Sequence, residues 1–231
     1  MAVNRPRRMR ERLLDAAQEA FAERGYDAST LEEIAATVGI SASAIYKHYR
    51  NKMALYEAVI DRLAEHFLVM LEAFDPDVNS AEFASIHFQY HVKHPALARI
   101  ALHATLAGGE QRRVMVEKVF KPFFQHCNGK MRRSHIVSAR ELARNPAHFM
   151  AFNSLIFGYV NLAALHRETL GSDPLSASAV LDEAGVVEKF AWALTRNFER
   201  SFASYIARER RAVLASRRRA ATRQPTERLR D

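Results

Sequence analysis

The sequence predicts an all-α protein, and three observations carry that expectation. Apolar residues recur at the 3.6-residue spacing of a buried helix face almost throughout, whereas alternation at strand period is rare over strand-length windows. Short clusters of turn-forming residues, such as Asp75-Pro76-Asp77, Gly108-Gly109 and Gly171-Ser172-Asp173-Pro174, punctuate the periodic stretches. A capping box marks one helix start without ambiguity. The expected plan is a three-helix helix-turn-helix domain over residues 1–52, a larger helical domain over 53–211, and a disordered basic tail over 212–231.

The first helix is expected from about Arg7 to Arg24, with Leu13, Leu14, Ala17 and Phe21 inward and Gly25 as a C-cap at positive φ. In Thr30-Leu31-Glu32-Glu33 the Thr30 hydroxyl can accept from the Glu33 amide while Glu33 reaches back, so a second helix starts at Leu31 and buries Leu31, Ile34, Ala35 and Val38. Gly39 breaks it, and Ser41 or Ser43 can cap a third. Residues 52–74 read as a long fourth helix carrying Leu55, Val59, Leu63, Phe67 and Met70. Further helices start near Ala81 and Pro95, run from about Glu110 to Ser138, and start again at Pro146 with Phe149, Phe152, Ile156, Tyr159 and Val160. A last one over 181–211 carries Val187, Phe190, Leu194, Phe198, Phe202 and Tyr205.

Composition bounds the function. The 231 residues are 48% hydrophobic, enough for a substantial core, and no apolar run approaches the roughly 18 residues of a membrane helix. A basic N-terminus without an apolar stretch is not a secretory signal, and the single cysteine, Cys127, excludes an intrachain disulfide and a four-cysteine metal site. The expected location is therefore the cytoplasm. The net charge of +8 falls largely in the tail, with Arg208, Arg210, Arg211, Arg217, Arg218, Arg219, Arg223, Arg228 and Arg230. That run reads either as a solvated terminus or as a phosphate contact.

Residues 30–52 hold the chemistry. A short helix, a glycine turn and a second short helix hold one helix across a duplex backbone so that the next enters the major groove. Ile34, Ala35, Ile40 and Ile45 supply the apolar wedge between them. Ser41, Ala42, Ser43 and Ala44 are small enough for close approach to bases: Ser43 can exchange a hydrogen bond with a base edge, and Ala42 or Ala44 can touch a thymine methyl. Tyr46, Lys47, His48 and Lys52 offer phosphate contacts, Lys52 at a helix start that itself favours an anion. Tyr49 shares the face of Ile45 and is expected to pack. Arg5, Arg7, Arg8 and Arg10 read equally as a minor-groove arm or a disordered leader.

In order and spacing, Arg12-Leu13-Leu14-Asp15-Ala16-Ala17, Phe21-Ala22-Glu23-Arg24-Gly25-Tyr26, Thr30-Leu31-Glu32-Glu33-Ile34-Ala35, Val38-Gly39-Ile40-Ser41, Ile45-Tyr46-Lys47-His48-Tyr49 and Asn51-Lys52 resemble the N-terminal domain of the TetR family of transcriptional regulators. The resemblance covers about sixty residues and implies phosphate contacts from Thr30, Tyr46, His48 and Lys52, with Ser41, Ala42, Ser43 and Lys47 facing bases or nearby backbone. No long polar residue stands at Ala42 or Ala44, which shifts specificity towards DNA shape.

By the same resemblance the rest of the chain dimerises and binds a small effector. The aromatic stripes of the helix from Pro146 and of the last helix are expected at a four-helix dimer interface, with Gly158 allowing close approach. Phe83, Phe88, Met115, Val119, Phe120, Phe123, Phe124, Met150 and Phe157 are candidates for an apolar cavity or for ordinary core. His87, Tyr90, His91, Phe120, Phe124, Asn153 and Phe157 are the residues expected to meet the effector, an apolar or aromatic molecule. The expected function is a ligand-responsive repressor that binds palindromic operator DNA as a homodimer, with no cofactor, no metal and no membrane partner. Two alternatives stay open: a metal-responsive regulator using His87, His91 and His94 on one helix face with Cys127 beside His126, and a helical scaffold without an operator. Catalysis is not expected, since no phosphate loop or serine elbow appears.

Overall fold

The computed structural model describes residues 4–72, 80–133 and 146–180, together with 185 and 189. Among the described residues nine helices follow one another: α1 (Asn4–Ala28), α2 (Leu31–Val38), α3 (Ala42–Ile45), α4 (Lys52–Glu72), α5 (Ser80–Lys93), α6 (Ala96–Ala107), α7 (Gly109–Met115), α8 (Lys121–Arg133) and α9 (Pro146–Leu170). A π-helical turn, Val116–Phe120, joins α7 to α8. Among the described residues there is no strand, and no helix is long and apolar enough to cross a membrane. The protein is therefore all-α, with a helix-turn-helix head and a larger helical body. The expected last helix over 181–211, the tail over 212–231 and the turn at Asp75-Pro76-Asp77 lie outside the described residues.

The head forms because α1 lays Leu13, Ala17 and Phe21 against Ile34 of α2, Ile45 of α3 and Leu55 and Val59 of α4, all of them buried. Phe21, Tyr26 and Tyr56 close the core edge-on and stacked, at centroid separations of 5.3–5.9 Å. The helix α1 starts earlier than its sequence pattern, and Gly25 interrupts it at positive φ as expected, with a short helical segment to Ala28 following across the kink. With φ 78° and ψ 175°, Gly25 occupies a backbone region that is essentially glycine-only, and a Cβ there would stand 3.0 Å from the His103 ring of α6. The kink is stitched by Ser29, a buried residue that pattern reading passed over: its hydroxyl lies 2.7 Å from the Gly25 carbonyl and 3.1 Å from that of Ala20.

The body continues the same core without a break, through Ile60, Leu63 and Phe67 of α4 to Phe88, Leu97, Ile100, Phe123 and Ile156. Helix α4 thus belongs to both parts. Arg62 pins it to α1 through Asp15 (2.6 Å) and Gln18 (2.7 Å). The expected helix from Glu110 to Ser138 is broken by the π turn, which hydrophobic periodicity does not reveal because the apolar face carries through it. The aromatic stripe of α9 also differs from expectation: Phe152, Ile156 and Val160 are inside the protomer, and Tyr159 donates to the Pro174 carbonyl at 2.7 Å.

Candidate nucleic-acid interface and effector region

The reading face is built from local hydrogen bonds. Thr30 Oγ1 accepts the Glu33 amide at 3.2 Å, and the Thr30 amide donates to Glu33 Oε2 at 3.2 Å, completing the expected capping box. Those hydrogen bonds, from the backbone of Thr30 first, hold the Glu33 carboxyl below its ordinary pKa, with Arg24 3.5 Å away adding to the effect. Thr30 Oγ1 accepts in the cap, and the same hydroxyl also helps hold the Glu33 carboxyl in its charged form. Gly39 ends α2 in the left-handed conformation, φ 74° and ψ 35°, and the Ile40 amide returns to the Ala35 carbonyl at 3.0 Å. Arg12 donates to the carbonyl of Val38 at 3.2 Å, tying α1 to the same turn.

The third helix is shorter than expected. Only Ala42–Ile45 is α-helical, and residues 46–48 continue it as tight turns, with the His48 amide on the Ile45 carbonyl at 2.8 Å. Ser41 occupies the N-cap without a side-chain cap; its hydroxyl pairs instead with that of Ser43 at 2.8 Å. Ile45 and Tyr49 are buried and anchor both ends of the element, as the shared face of those two residues implies. The polar residues around them turn outward: Ser41, Ser43, Lys47 and His48 are exposed and Tyr46 is 56% exposed, while Ala42 and Ala44 are half-buried. Among the described residues no hydrogen bond or ion pair engages the side chains of Tyr46, Lys47 or His48. The Arg10 guanidinium sits 6.0 Å from the Tyr49 ring centroid, and α1 is already helical from Asn4.

Lys52 opens α4 on the same side. Its Nζ lies 4.3 Å from the Tyr26 ring centroid and 3.4 Å from the Asp27 carbonyl, and partial burial lowers its pKa although Asp27 and Glu33 oppose this. Asn51, not singled out from the sequence, caps α4 by accepting the Ala54 amide at 2.8 Å. The face therefore offers hydroxyls, an imidazole and two ammonium groups around a small-residue ridge, a set that fits the phosphates and groove edges of a duplex.

In the body the expected effector residues divide among three places. His87 and His91 are fully buried, Nε2 to Nε2 3.0 Å apart, so one imidazole carries its proton on Nε2 and the other on Nδ1. The rings of Phe67 and Phe123 pack on His87 at 5.3 and 5.1 Å, that of Phe157 on His91 at 5.0 Å, and Asn153 is buried. Burial, reinforced by the neighbouring imidazoles, drives the His87 pKa well below 6.5 and that of His91 down to about 3. Phe120 and Phe124 instead line an open groove of about 540 Å³ with Thr105, Val116, Lys121, Gln125 and Met150. Phe157 links the two, its ring 6.0 Å from that of Phe120. Tyr90 packs on Phe67 at 5.2 Å and borders a separate cleft of about 280 Å³ between α1, α4, α5 and α6. Phe83, a cavity candidate, carries no described side chain.

The metal-binding expectation does not assemble: among the described residues no three histidine, cysteine, aspartate or glutamate side chains converge. His94 stacks on Tyr90 at 4.9 Å, His126 faces the Leu71 carbonyl at 3.3 Å, and Cys127 is buried, which pushes its thiol pKa up.

A short helix, a glycine turn, a second short element with a small polar outer surface, and a long helix leading into a helical body together define a helix-turn-helix DNA-binding domain on a sensor-like framework. Residues 13–59, the helix-turn-helix domain, match the family described as bacterial regulatory proteins, tetR family. The chain is 41% identical over 59 residues to the transcriptional activator FasR of Mycolicibacterium smegmatis, a stretch covering 26% of this chain and 27% of the relative. It is 38% identical over 69 residues to the transcriptional repressor BepR of Brucella suis biovar 1, covering 29% and 33%. The chain spans about a third or less of the length of such curated relatives. The likeness of the whole fold is wider: the crystal structure of the transcriptional regulator FadR from Bacillus subtilis in complex with stearoyl-CoA aligns at a TM-score of 0.57 over 78% of this chain and 96% of that one, at 18% identity.

Proposed function

We propose that this protein is a ligand-responsive transcriptional repressor that binds a palindromic operator as a homodimer. The carrying observation is the outward set of Tyr46, Lys47 and His48 beside the ridge of Ser41 to Ala44, held by a buried Ile45 and Tyr49. Thr30 and Lys52 flank it with a hydroxyl proton and an ammonium group for phosphates.

Two copies are needed to read two half-sites about 34–36 Å apart. Helix α9 offers the surface: Met150, Leu162 and Leu165 are 63%, 58% and 60% exposed, and Ser154 and Gly158 lie between them along the same stripe. A Cβ on Gly158 would meet nothing within 4 Å, so a second helix can approach closely there. This stripe replaces Phe152, Ile156 and Val160 as the α9 contribution to the dimer.

The effector enters the groove of Val116, Phe120, Phe124 and Met150, whose walls suit an extended apolar or aromatic chain, with Lys121 and Gln125 at its rim for a polar end. The stearoyl-CoA held by the FadR of Bacillus subtilis has that character. His87, His91 and Asn153 form the polar backing layer behind Phe157.

Selection of bound fragments from genomic DNA, followed by footprinting, tests the reading: a protected palindrome is expected. Tyr46→Ala and Lys52→Ala should each weaken operator binding by about 10–100-fold, the worth of one charge-assisted hydrogen bond, with dimerisation unchanged. A scaffold protein would select no sequence and lose nothing in either variant.

A further inference from the structure

The rod formed by α7, the π turn and α8 has two working sides. One side supplies Val116, Phe120, Lys121, Phe124 and Gln125 to the groove. The other holds α4 at two points. Lys118, within the π turn, donates to both oxygens of Asp61 at 2.8 and 2.9 Å and stands 3.3 Å from Glu57. One further stretch along, Lys130 donates to the Leu71 and Glu72 carbonyls at 2.9 Å each, where a cation meets the last turn of α4 and its dipole. The opposite end of α4 begins at Lys52, directly behind the reading element.

We propose that the π turn is the transmission between groove and DNA: an occupant pressing on Phe120 re-registers the turn, and the Lys118 clamp on Glu57 and Asp61 carries the shift to α4 and the reading face. This rests on the effector reading given above. A π turn holds one residue more than an α turn, and at 3.6 residues per turn removal of that residue would rotate one flank against the other by about 100°. The turn itself carries Val116 and Phe120 of the groove and Lys118 of the clamp. The clamp itself contributes little to stability, since exposed ion pairs are worth at most about 1 kcal/mol, so its value is positional. A second path is built into the fold: Thr105 of α6 also lines the groove, His103 packs on Gly25, and Gln111 donates to Asp27 at 3.1 Å. The two paths make opposite predictions.

A double-mutant cycle on the full-length dimer separates them, with a groove filled by a tethered side chain as the probe. Thr105→Trp and Gln125→Trp fill the groove from two walls, and operator affinity is read by fluorescence anisotropy. Each filler should weaken operator binding at least about fivefold, the lower range of allosteric coupling. In a Lys118→Met background, which keeps the methylene stem and leaves Glu57 and Asp61 in solvent, each filler should change affinity less than about twofold. Exchanging the pair as Lys118→Asp with Asp61→Lys should restore the response. Fillers that weaken binding equally with and without Lys118, or have no effect in either background, overturn the transmission while leaving the regulator reading intact. A wild-type protein that selects no operator overturns the regulator reading itself.

Discussion

The head and the body solve the same problem, placing polar groups in a helical fold, in opposite ways. In the head, the caps that set the reading face close over a few residues, Thr30 with Glu33, Ser29 with Gly25 and Asn51 with Ala54, while Arg12 with Val38 and Lys52 with Asp27 reach across it. What is not used in such a cap turns outward, and that outward set is the candidate DNA surface. In the body, the contacts that join helices span the chain, Lys118 with Asp61, Lys130 with Leu71 and Asn161 with the Ala98 carbonyl, beside local ones such as Asn161 with the Phe157 carbonyl. His87, His91 and Asn153 are buried among rings instead of displayed. The reading surface is fixed by short-range caps, whereas the region proposed to accommodate a small molecule is fixed largely by packing, which can rearrange.

The sharpest way to break that contrast is to remove a ring from the body. Phe123 is buried at the centre of the cluster, its ring 4.9 Å from Phe67 and 5.1 Å from His87. Phe123→Ala should cost about 3–5 kcal/mol, a loss of transfer energy plus an unfilled cavity. Chemical denaturation measures it, and a loss under 1 kcal/mol would show that packing does not dominate the body.

Acid comes next. Both buried imidazoles are neutral in the folded chain, and unfolding returns them to a pKa near 6.5, so the unfolded state binds protons that the folded state refuses. Stability is therefore complete above pH 6.5 and declines as the pH falls towards 3, by at most about 1.4 kcal/mol per pH unit for each imidazole. Thermal melts between pH 7 and 4.5 should show that slope, and His91→Phe should flatten it, because a ring of similar shape stays in the nest of Phe67 and Phe157 without taking a proton. An unchanged slope would place the acid sensitivity elsewhere.

The same contrast explains what could be read from the sequence. The all-α plan, the capping box, the left-handed Gly39 and the inward Tyr49 were legible because each depends on residues within about four positions, where spacing alone decides geometry. Placing the candidate DNA residues on one face follows from Ile45 and Tyr49 being buried together. The Gly25 kink was legible only by half: glycine announced a positive φ, but the His103 ring that would crowd a Cβ there comes from 78 residues further on. The groove was legible only in part: Phe120, Phe124 and Met150 stand among the cavity candidates, but so does Phe123. Phe120 and Phe124 line it while Phe123, between them, is core, and a π turn sets that division. The clamp of Lys118 on α4 was hidden, since a lysine with two acids some sixty residues earlier has no spacing signature.

The smallest effect falls in the head, on Thr30, which holds a structural role and a proposed one at the same atom. Its Oγ1 accepts the Glu33 amide, and the same hydroxyl is proposed to donate to a phosphate. Removing the hydroxyl in Thr30→Ala should cost about 1 kcal/mol of stability, the usual worth of an N-cap, and should weaken operator binding as well. Thr30→Ser keeps acceptor and donor and should leave both close to wild type. Thr30→Asp keeps a good cap but replaces the donor with a negative charge, so stability should hold while operator affinity falls furthest of the three. Melting and anisotropy on the same three proteins measure the two roles separately. If affinity follows stability across the series, with Asp binding as well as Ser, then Thr30 only caps α2, and the phosphate contact belongs to Tyr46, His48 and Lys52 without it.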